Sequence, residues 1–289
     1  DELDMVRYFM KKYSEVEVHL VNAAELNVMG DNRLKKDSVV VTASASGDTK
    51  EIVKAVENIT AQGIRVVAFT REDTPLGKLA TTVISAPVAT GRCDFTYLLF
   101  QAFALRLLNL RGDFDRYDDY MAQTKNLFQD LVDIRIKFEP KAEQIAKQFA
   151  EEPYTIFIAS GALWGENVLF SMCVLEEMQW IRTRAVTSAE FFHGTLELVE
   201  PGVPVIITKG EDECRELDNR AEVFCKQYTD KLAVIDTAEY AVSGLDDEFR
   251  PLVSPMIAAA TLHERLSKHY ERITKHNLAY RRYYRQFAY

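Results

Sequence analysis

Runs of β-branched residues that alternate with helical stretches constrain the fold of this chain more than any other feature. Residues 38–42 read Ser-Val-Val-Val-Thr, and residues 64–69 form a second apolar run. Runs without alternating polar positions are typical of strands buried on both faces of a parallel sheet. A helical stretch over residues 50–61 lies between them and ends at Gly63. The sequence therefore predicts βαβ units and an α/β fold.

The alternation resumes after a long helical region. Residues 94–150 predict two or three helices that join the halves and cover the sheets. Further strands are predicted at 16–21, 83–85, 154–159, 184–188, 203–208 and 232–235. Further helices are predicted at 1–13, 166–180, 214–228 and from 254 onward, with a short one beginning at Thr74-Pro75-Leu76.

The two halves resemble copies of one another. The segment around Glu25 matches the segment around Glu190 in residue type and in position between a short strand and a further strand. The second half opens with a strand and loop over 154–165 that has no counterpart in the first half. We therefore expect the chain as given to begin inside its first domain; a naturally shorter first domain is the alternative. The predicted domains are 1–135 and 136–289.

The charge balance excludes several classes of function. The 289 residues include 35 basic and 44 acidic side chains, a formal net charge of −9. Because an acidic surface repels phosphate backbones, we expect no nucleic-acid partner. The apolar runs are far shorter than the ~20 residues that a membrane helix needs, so no membrane partner is expected either.

The cysteines and histidines show no metal-binding spacing. The four cysteines contain no Cys-x-x-Cys pair, and the five histidines form no His-Glu-x-x-His motif. In a chain of this size such cysteines are typical of reduced thiols, which predicts a cytoplasmic protein. We expect neither a metal nor an organic cofactor.

A hydroxyl-rich loop between a strand and a helix is the sharpest local signal. It contains Ser44, Ser46, Gly47, Asp48 and Thr49. A helix N-terminus offers free backbone N–H groups, and a glycine lets the backbone approach a ligand closely. The spacing lacks the lysine of a nucleotide P-loop, so a phosphomonoester such as a sugar phosphate fits better. Ordinary helix capping is the alternative.

Together with Thr74-Pro75-Leu76, this Ser-x-Ser-Gly-x-Thr loop resembles the sugar isomerase (SIS) domain family. Further matching segments are Glu-Glu-Met-Gln-Trp at 176–180, Ser-Ala-Glu-Phe-Phe-His-Gly at 188–194, Val-Glu-Pro-Gly-Val-Pro at 199–204, Arg-Arg-Tyr at 281–283 and the final Tyr289. The resemblance covers essentially the whole chain and is strongest to the fructosamine-6-phosphate deglycases, relatives of the isomerase half of glucosamine-6-phosphate synthase. It implies two tandem flavodoxin-like SIS domains, parallel sheets flanked by helices and joined by helices.

The resemblance also implies catalytic roles. Glu177 aligns with the glutamate that moves a proton at the first two sugar carbons, and His193 with the acid that opens the ring. A histidine supplied by the neighbouring subunit would mean a homodimer with shared sites. An exposed helix acid and a packed histidine are the ordinary alternatives. Glu190 could orient substrate or cap a turn.

Two further features bear on the site. Ser160 and Gly161, in the loop after the strand at 154–159, match the family's first loop and could touch the sugar or the amino acid. The second half has acids, including Asp212, where the first half has its predicted phosphate loop, which indicates one phosphate site per chain.

The tail lacks the lysine that the synthase uses, so a role for a tail lysine is not expected.

The expected function is deglycation of a 6-phosphorylated fructosamine or glucosamine-type adduct of an amino acid, such as 6-phosphofructosyl-lysine or 6-phosphoglucosyl-lysine. The partner would be a sugar-phosphate adduct of an amino acid, with lysine favoured by the resemblance, and the products glucose 6-phosphate and the free amine. Aldose–ketose isomerisation, amination of a sugar phosphate and non-catalytic phosphosugar binding remain alternatives. The presence of both Glu177 and His193 favours catalysis over non-catalytic phosphosugar binding.

Overall fold

The computed structural model describes residues 2–85 and 93–287. Contacts divide the chain into two compact units, one of residues 17–92 and one of residues 1–16 with 93–289. The terminal Tyr289 of the family-like tail lies outside the described residues. A domain boundary at residue 135 stays a prediction, because a repeat in sequence need not coincide with a compact unit.

A three-stranded parallel sheet forms the core of the smaller unit. After α1 (Asp4–Tyr13), which belongs to the larger unit, the elements are α2 (Ala23–Met29), β1 (Val39–Ala43), α3 (Lys50–Ala61), β2 (Arg65–Phe69), α4 (Pro75–Leu79) and β3 (Thr82–Ile84). The strand order is β1-β2-β3, with Val40 opposite Val66 and Phe69 opposite Ile84. The helix at 50–61 and the short helix after Thr74 are confirmed.

The prediction that the strand at 38–42 is buried on both faces is wrong. Within the described residues β1 pairs with β2 alone, and Val39 is 48% exposed. Val40 packs against the apolar cluster that α3 and α4 build with β2, while the other residues of β1 stay half-buried or exposed. A β-branched run indicates a strand, but its burial depends on which neighbours cover it.

A four-stranded parallel sheet forms the core of the larger unit. Its elements are α5 (Cys93–Arg111), α6 (Tyr117–Gln123), α7 (Leu127–Phe149), β4 (Tyr154–Ala159), α8 (Trp164–Val168), β5 (Arg182–Thr187), α9 (Ser188–Phe191), β6 (Val205–Lys209), α10 (Arg215–Tyr228), β7 (Leu232–Asp236), α11 (Arg250–Thr261) and α12 (Ser267–Thr274). π-helical turns follow α8 at Leu169–Glu176 and α11 at Leu262–Leu266. The strand order is β5-β4-β6-β7.

The centre of this sheet is fully buried. All five residues of β6 and five of the six in β4 are inaccessible, which agrees with their continuous apolar sequences. The nearly all-apolar helix α11 lies in the interior and packs against α5 and α7. The helical region after residue 93 thus surrounds a buried helix of its own unit. No helix among the described residues is both long and apolar enough to cross a bilayer.

The internal repeat explains the one predicted strand that does not form. Aligning Glu25 with Glu190 sets α2 on α9, β1 on β6 and α3 on α10. Residues 16–21 then fall on β5, but they adopt an irregular backbone, so that prediction is wrong. The partner of β5 is β4, and the first repeat contains no equivalent of β4 among the described residues. A strand without a neighbour cannot satisfy its backbone hydrogen bonds.

Candidate active site

The predicted phosphate loop connects β1 to α3 as expected. The Ser44 hydroxyl accepts a hydrogen bond from the Gly47 N–H at 3.0 Å and shares another, also 3.0 Å, with the Thr49 hydroxyl. Thr49 occupies the N-cap position of α3, yet among the described residues its side chain bonds to no N–H of that helix. The loop therefore folds on its own hydroxyls, and the Thr49 side chain does not cap the first turn of α3.

Gly47 is the point at which two loops meet. Its φ is +66°, and an added Cβ would lie 2.2 Å from Thr74 Oγ1 and 2.7 Å from Thr70 Oγ1. The Gly47 carbonyl accepts from the Leu76 N–H at 2.9 Å, and Thr74 caps α4 by accepting from the Gly77 N–H at 3.1 Å. Thr74-Pro75-Leu76 thus supports the phosphate loop. Ser46, half-buried, and Asp48, exposed, belong to the same loop.

Glu177 closes the π-helical turn that follows α8. Its N–H donates to the Met172 carbonyl at 2.9 Å, five residues back, a local winding that often marks functional positions. Its carboxylate Oε1 lies 2.8 Å from Nε of Arg281 in the C-terminal tail. Glu177 is therefore a half-buried acid held by a tail arginine.

Glu177 faces an open cavity of about 810 Å³ that we call the tail cavity, lined also by Trp180, Arg182 and tail residues from Arg281 to Phe287. Trp180 adopts a left-handed φ of +58°. Its ring lies 4.2 Å from the His276 ring, and the guanidinium of Arg282 lies 4.2 Å from its centroid. The tail thus forms one wall of the cavity that contains Glu177.

His193 and Glu190 share a second, smaller cavity of about 390 Å³ with Arg184, which we call the turn cavity. The Glu190 carbonyl accepts from the His193 N–H at 2.9 Å, and the Glu190 N–H donates to Thr187 Oγ1 at 3.0 Å. The Glu190 backbone therefore builds the turn, while its exposed side chain lines the cavity beside His193. Among the residues that the structure describes, the linings of these two cavities do not overlap, so Glu177 and His193 line different cavities.

Ser160 and Gly161 are occupied by internal contacts. The buried Ser160 hydroxyl accepts from the Ser188 N–H at 3.0 Å. Gly161 has a φ of +59°, and an added Cβ would lie 2.5 Å from the Asp212 carboxylate. That carboxylate accepts from the N–H groups of Ala162, at 2.9 Å, and Cys214, at 2.8 Å. These contacts give the loop a structural role, and its contact with substrate stays a prediction.

Asp212 occupies the position in the second repeat that Gly47 occupies in the first. Burial raises the pKa of this carboxyl group despite its two backbone donors. The second repeat therefore carries a carboxylate that binds its own backbone N–H groups where the first repeat has Gly47. This supports one phosphate site per chain.

Comparison with known proteins identifies the family. The sequence model of the SIS domain matches residues 4–107. The chain is 30% identical over 284 residues to fructosamine deglycase FrlB of Bacillus subtilis, covering 95% of this chain and 84% of the relative. It is 28% identical over 282 residues to fructoselysine 6-phosphate deglycase of Escherichia coli, covering 96% and 80%. This chain belongs to the SIS-domain family.

A solved structure agrees with the family assignment. A candidate phosphosugar isomerase from Bacillus subtilis superposes with a TM-score of 0.92 at 28% identity, over 100% of this chain and 89% of that one. The expectation of tandem SIS domains with parallel sheets flanked by helices is confirmed. The tail of this SIS protein presents Arg281 to Glu177.

This SIS protein contains a buried polar cluster that the sequence did not predict. Glu166 is inaccessible; its Oε2 accepts from the Tyr97 hydroxyl at 2.8 Å, and its Oε1 lies 3.2 Å from His263 Nε2. Burial raises the pKa of Glu166 and lowers that of His263 to about 4. Burial thus favours the neutral form of both groups. No local pattern reveals the cluster, because its members come from three helical segments far apart in sequence.

Among the described residues, no group of histidine, cysteine and acidic side chains is arranged to hold a metal ion.

Proposed function

We propose that this SIS-domain protein is a deglycase that converts a 6-phosphorylated fructosamine into glucose 6-phosphate and a free amine. The likeness to two deglycases over at least 95% of the chain carries the proposal. A 6-phosphorylated adduct of an amino acid, with lysine as the first candidate, is the proposed substrate class.

The phosphate group would bind at the loop from Ser44 to Thr49. Backbone N–H groups at the start of α3 point toward a bound anion, and the positive end of the helix dipole favours negative charge there. The hydroxyls of Ser44, Ser46 and Thr49 add donors. Gly47 keeps the loop backbone close to the ligand.

Glu177 would act as the base. The C1 hydrogen of the open-chain adduct is acidified by the neighbouring C2 carbonyl, and a carboxylate can remove it to form an enaminol. Return of the proton at C2 yields an imine between C1 and the amine nitrogen. Water adds to C1, and cleavage of the C–N bond releases glucose 6-phosphate and the amine. Arg281, 2.8 Å from the Glu177 carboxylate, would orient it between these transfers.

His193 would open the sugar ring and carry protons to and from oxygen. An imidazole can do both, because it titrates near neutral pH. The separate cavities of Glu177 and His193 support an arrangement in which a second subunit supplies His193. The protein would then be a homodimer with shared sites. Cys173, Cys214 and Cys225 form no disulfide among the described residues, which supports a cytoplasmic location.

The test is release of glucose 6-phosphate, followed with a coupled dehydrogenase. The substrates are 6-phosphofructosyl-lysine, 6-phosphoglucosyl-lysine, their aspartate analogues, and fructose 6-phosphate with and without ammonia. Turnover of a fructosyl adduct supports the proposal. If fructose 6-phosphate alone turns over, the protein is an isomerase. If it raises the melting temperature but nothing turns over, the protein is a phosphosugar-binding protein.

A further inference from the structure

We propose that Arg282, stacked on Trp180, and Arg182 form a subsite for the carboxylate of the amine part of the substrate. The subsite lies in the tail cavity, beside Glu177. This inference rests on the proposed function, and it assigns the residues that would distinguish an amino-acid adduct from an adduct of a simple amine.

The acids of the tail cavity already have partners. Glu177 pairs with Arg281 at 2.8 Å, and Glu176 Oε1 accepts from the Thr183 hydroxyl at 2.6 Å. The two remaining cations are Arg182, at the start of β5, and Arg282. Neither forms a salt bridge with a carboxylate within residues 2–85 and 93–287. The Thr183 hydroxyl leaves the charge of Glu176 in place, so three arginines against two glutamates give the lining one net positive charge beside the proposed base.

Arg282 is arranged to receive an anion. Its guanidinium lies over the Trp180 ring, 4.2 Å from the ring centroid. This cation–π contact leaves N–H donors for two parallel hydrogen bonds to a carboxylate. The Trp180 ring in turn contacts the His276 ring.

The rest of the wall suits an aliphatic chain. Tyr283, Tyr284 and Phe287 line the tail cavity and are 61%, 42% and 58% exposed. Exposed aromatic rings beside a guanidinium can pack against methylene groups while the charged end of the ligand reaches the arginine. An amine with a carboxylate at the end of a short alkyl chain, such as an amino acid linked through its side-chain nitrogen, fits this arrangement.

The experiment compares two 6-phosphofructosyl adducts that differ only in that carboxylate, the adduct of lysine through its ε-nitrogen and the adduct of 1,5-diaminopentane. We expect kcat/KM of the wild-type protein to be at least about tenfold higher for the lysine adduct, the value of one charge-assisted hydrogen-bonded contact. In R182Q/R282Q the ratio should fall towards one. R282K, which keeps the charge but not the planar fork, should give an intermediate ratio. R272Q, in an exposed salt bridge with Glu143, is the matched control and should keep the wild-type ratio.

Three results would overturn the inference. A wild-type ratio near one would do so without any variant, as would a full ratio in R182Q/R282Q. The third is that R182Q/R282Q weakens fructose 6-phosphate binding as much as lysine-adduct binding, which would assign the arginines to the phosphate. In each case turnover persists, so the proposed function survives. If the wild-type protein turns over neither adduct, the proposed function fails and the subsite with it.

Discussion

At the scale of single residues, one position of the repeat differs between the two halves. At Gly47 the space that a side chain would take is occupied by Thr74, whereas Asp212 inserts a carboxylate that accepts from two backbone N–H groups. The acids of the second half were visible in the sequence, but their contact with Gly161 was not, because it joins residues about 50 positions apart. The same limit applies to the Glu177–Arg281 pair, which depends on where the tail folds.

Asp218 gives a prediction of pH dependence at this scale. Burial raises the pKa of its carboxyl group to about 6 in the folded chain, from 3.8. The protonated Asp218 carboxyl group therefore stabilises the folded chain fully at a pH below 3.8, the pKa of the group in the unfolded chain. This stabilisation is lost as the pH rises through about 6, the pKa in the folded chain. The free energy of unfolding of the wild-type protein, relative to D218N, should therefore fall by about 2 kcal/mol between pH 4.5 and 7.5. Urea titrations at several pH values measure this difference, and a constant difference would contradict it.

At the scale of elements, a helix or strand is predicted correctly when the residues that determine it lie close together in the sequence. Helix α3 occurs over the predicted residues 50–61, because the preceding strand and Gly63 define its limits within a short stretch of sequence. The helix predicted at 166–180 begins as α8 and then winds into a π-helical turn that places Glu177. That change has no local sequence signature. The prediction of a strand at 16–21 is wrong, because a strand there would need a neighbouring strand from a distant part of the sequence.

The loop from β1 to α3 gives a paired prediction. Gly47 and Gly63 both have positive φ, but an added Cβ would meet Thr74 at Gly47 and nothing within 4 Å at Gly63. We expect G63A to lower the free energy of unfolding by about 1 kcal/mol from backbone strain, and G47A by about 2 to 4 kcal/mol from strain and overlap together. G47A should also abolish the rise in melting temperature with fructose 6-phosphate. Equal losses in the two variants would mean that Thr74 moves away without cost.

At the scale of the whole molecule, the α/β class, the parallel sheets and the repeat were predictable from composition and periodicity. The separation of Glu177 and His193 into two cavities was not, since it depends on how the larger unit packs. The resemblance to SIS proteins supplied the idea of a shared site. The cavities of the single chain are consistent with it.

Mixing two inactive variants tests whether subunits share sites. In a two-fold symmetric dimer of E177Q and H193A chains, one of the two sites combines a wild-type Glu177 with a wild-type His193. Random mixing after joint refolding should restore about a quarter of wild-type turnover. If both residues act within one chain, every site carries a substitution and activity stays at the level of the single variants.

The measurement that tests the central claim most directly is glucose 6-phosphate release from 6-phosphofructosyl-lysine by the wild-type, E177Q and R272Q proteins. Removing a general base should lower kcat by about 10²- to 10⁴-fold, with the melting temperature kept, because Glu177 is partly exposed on one side of an open cavity. R272Q should turn over like the wild type. E177Q turnover near the wild-type rate would contradict the assignment of Glu177 as the base.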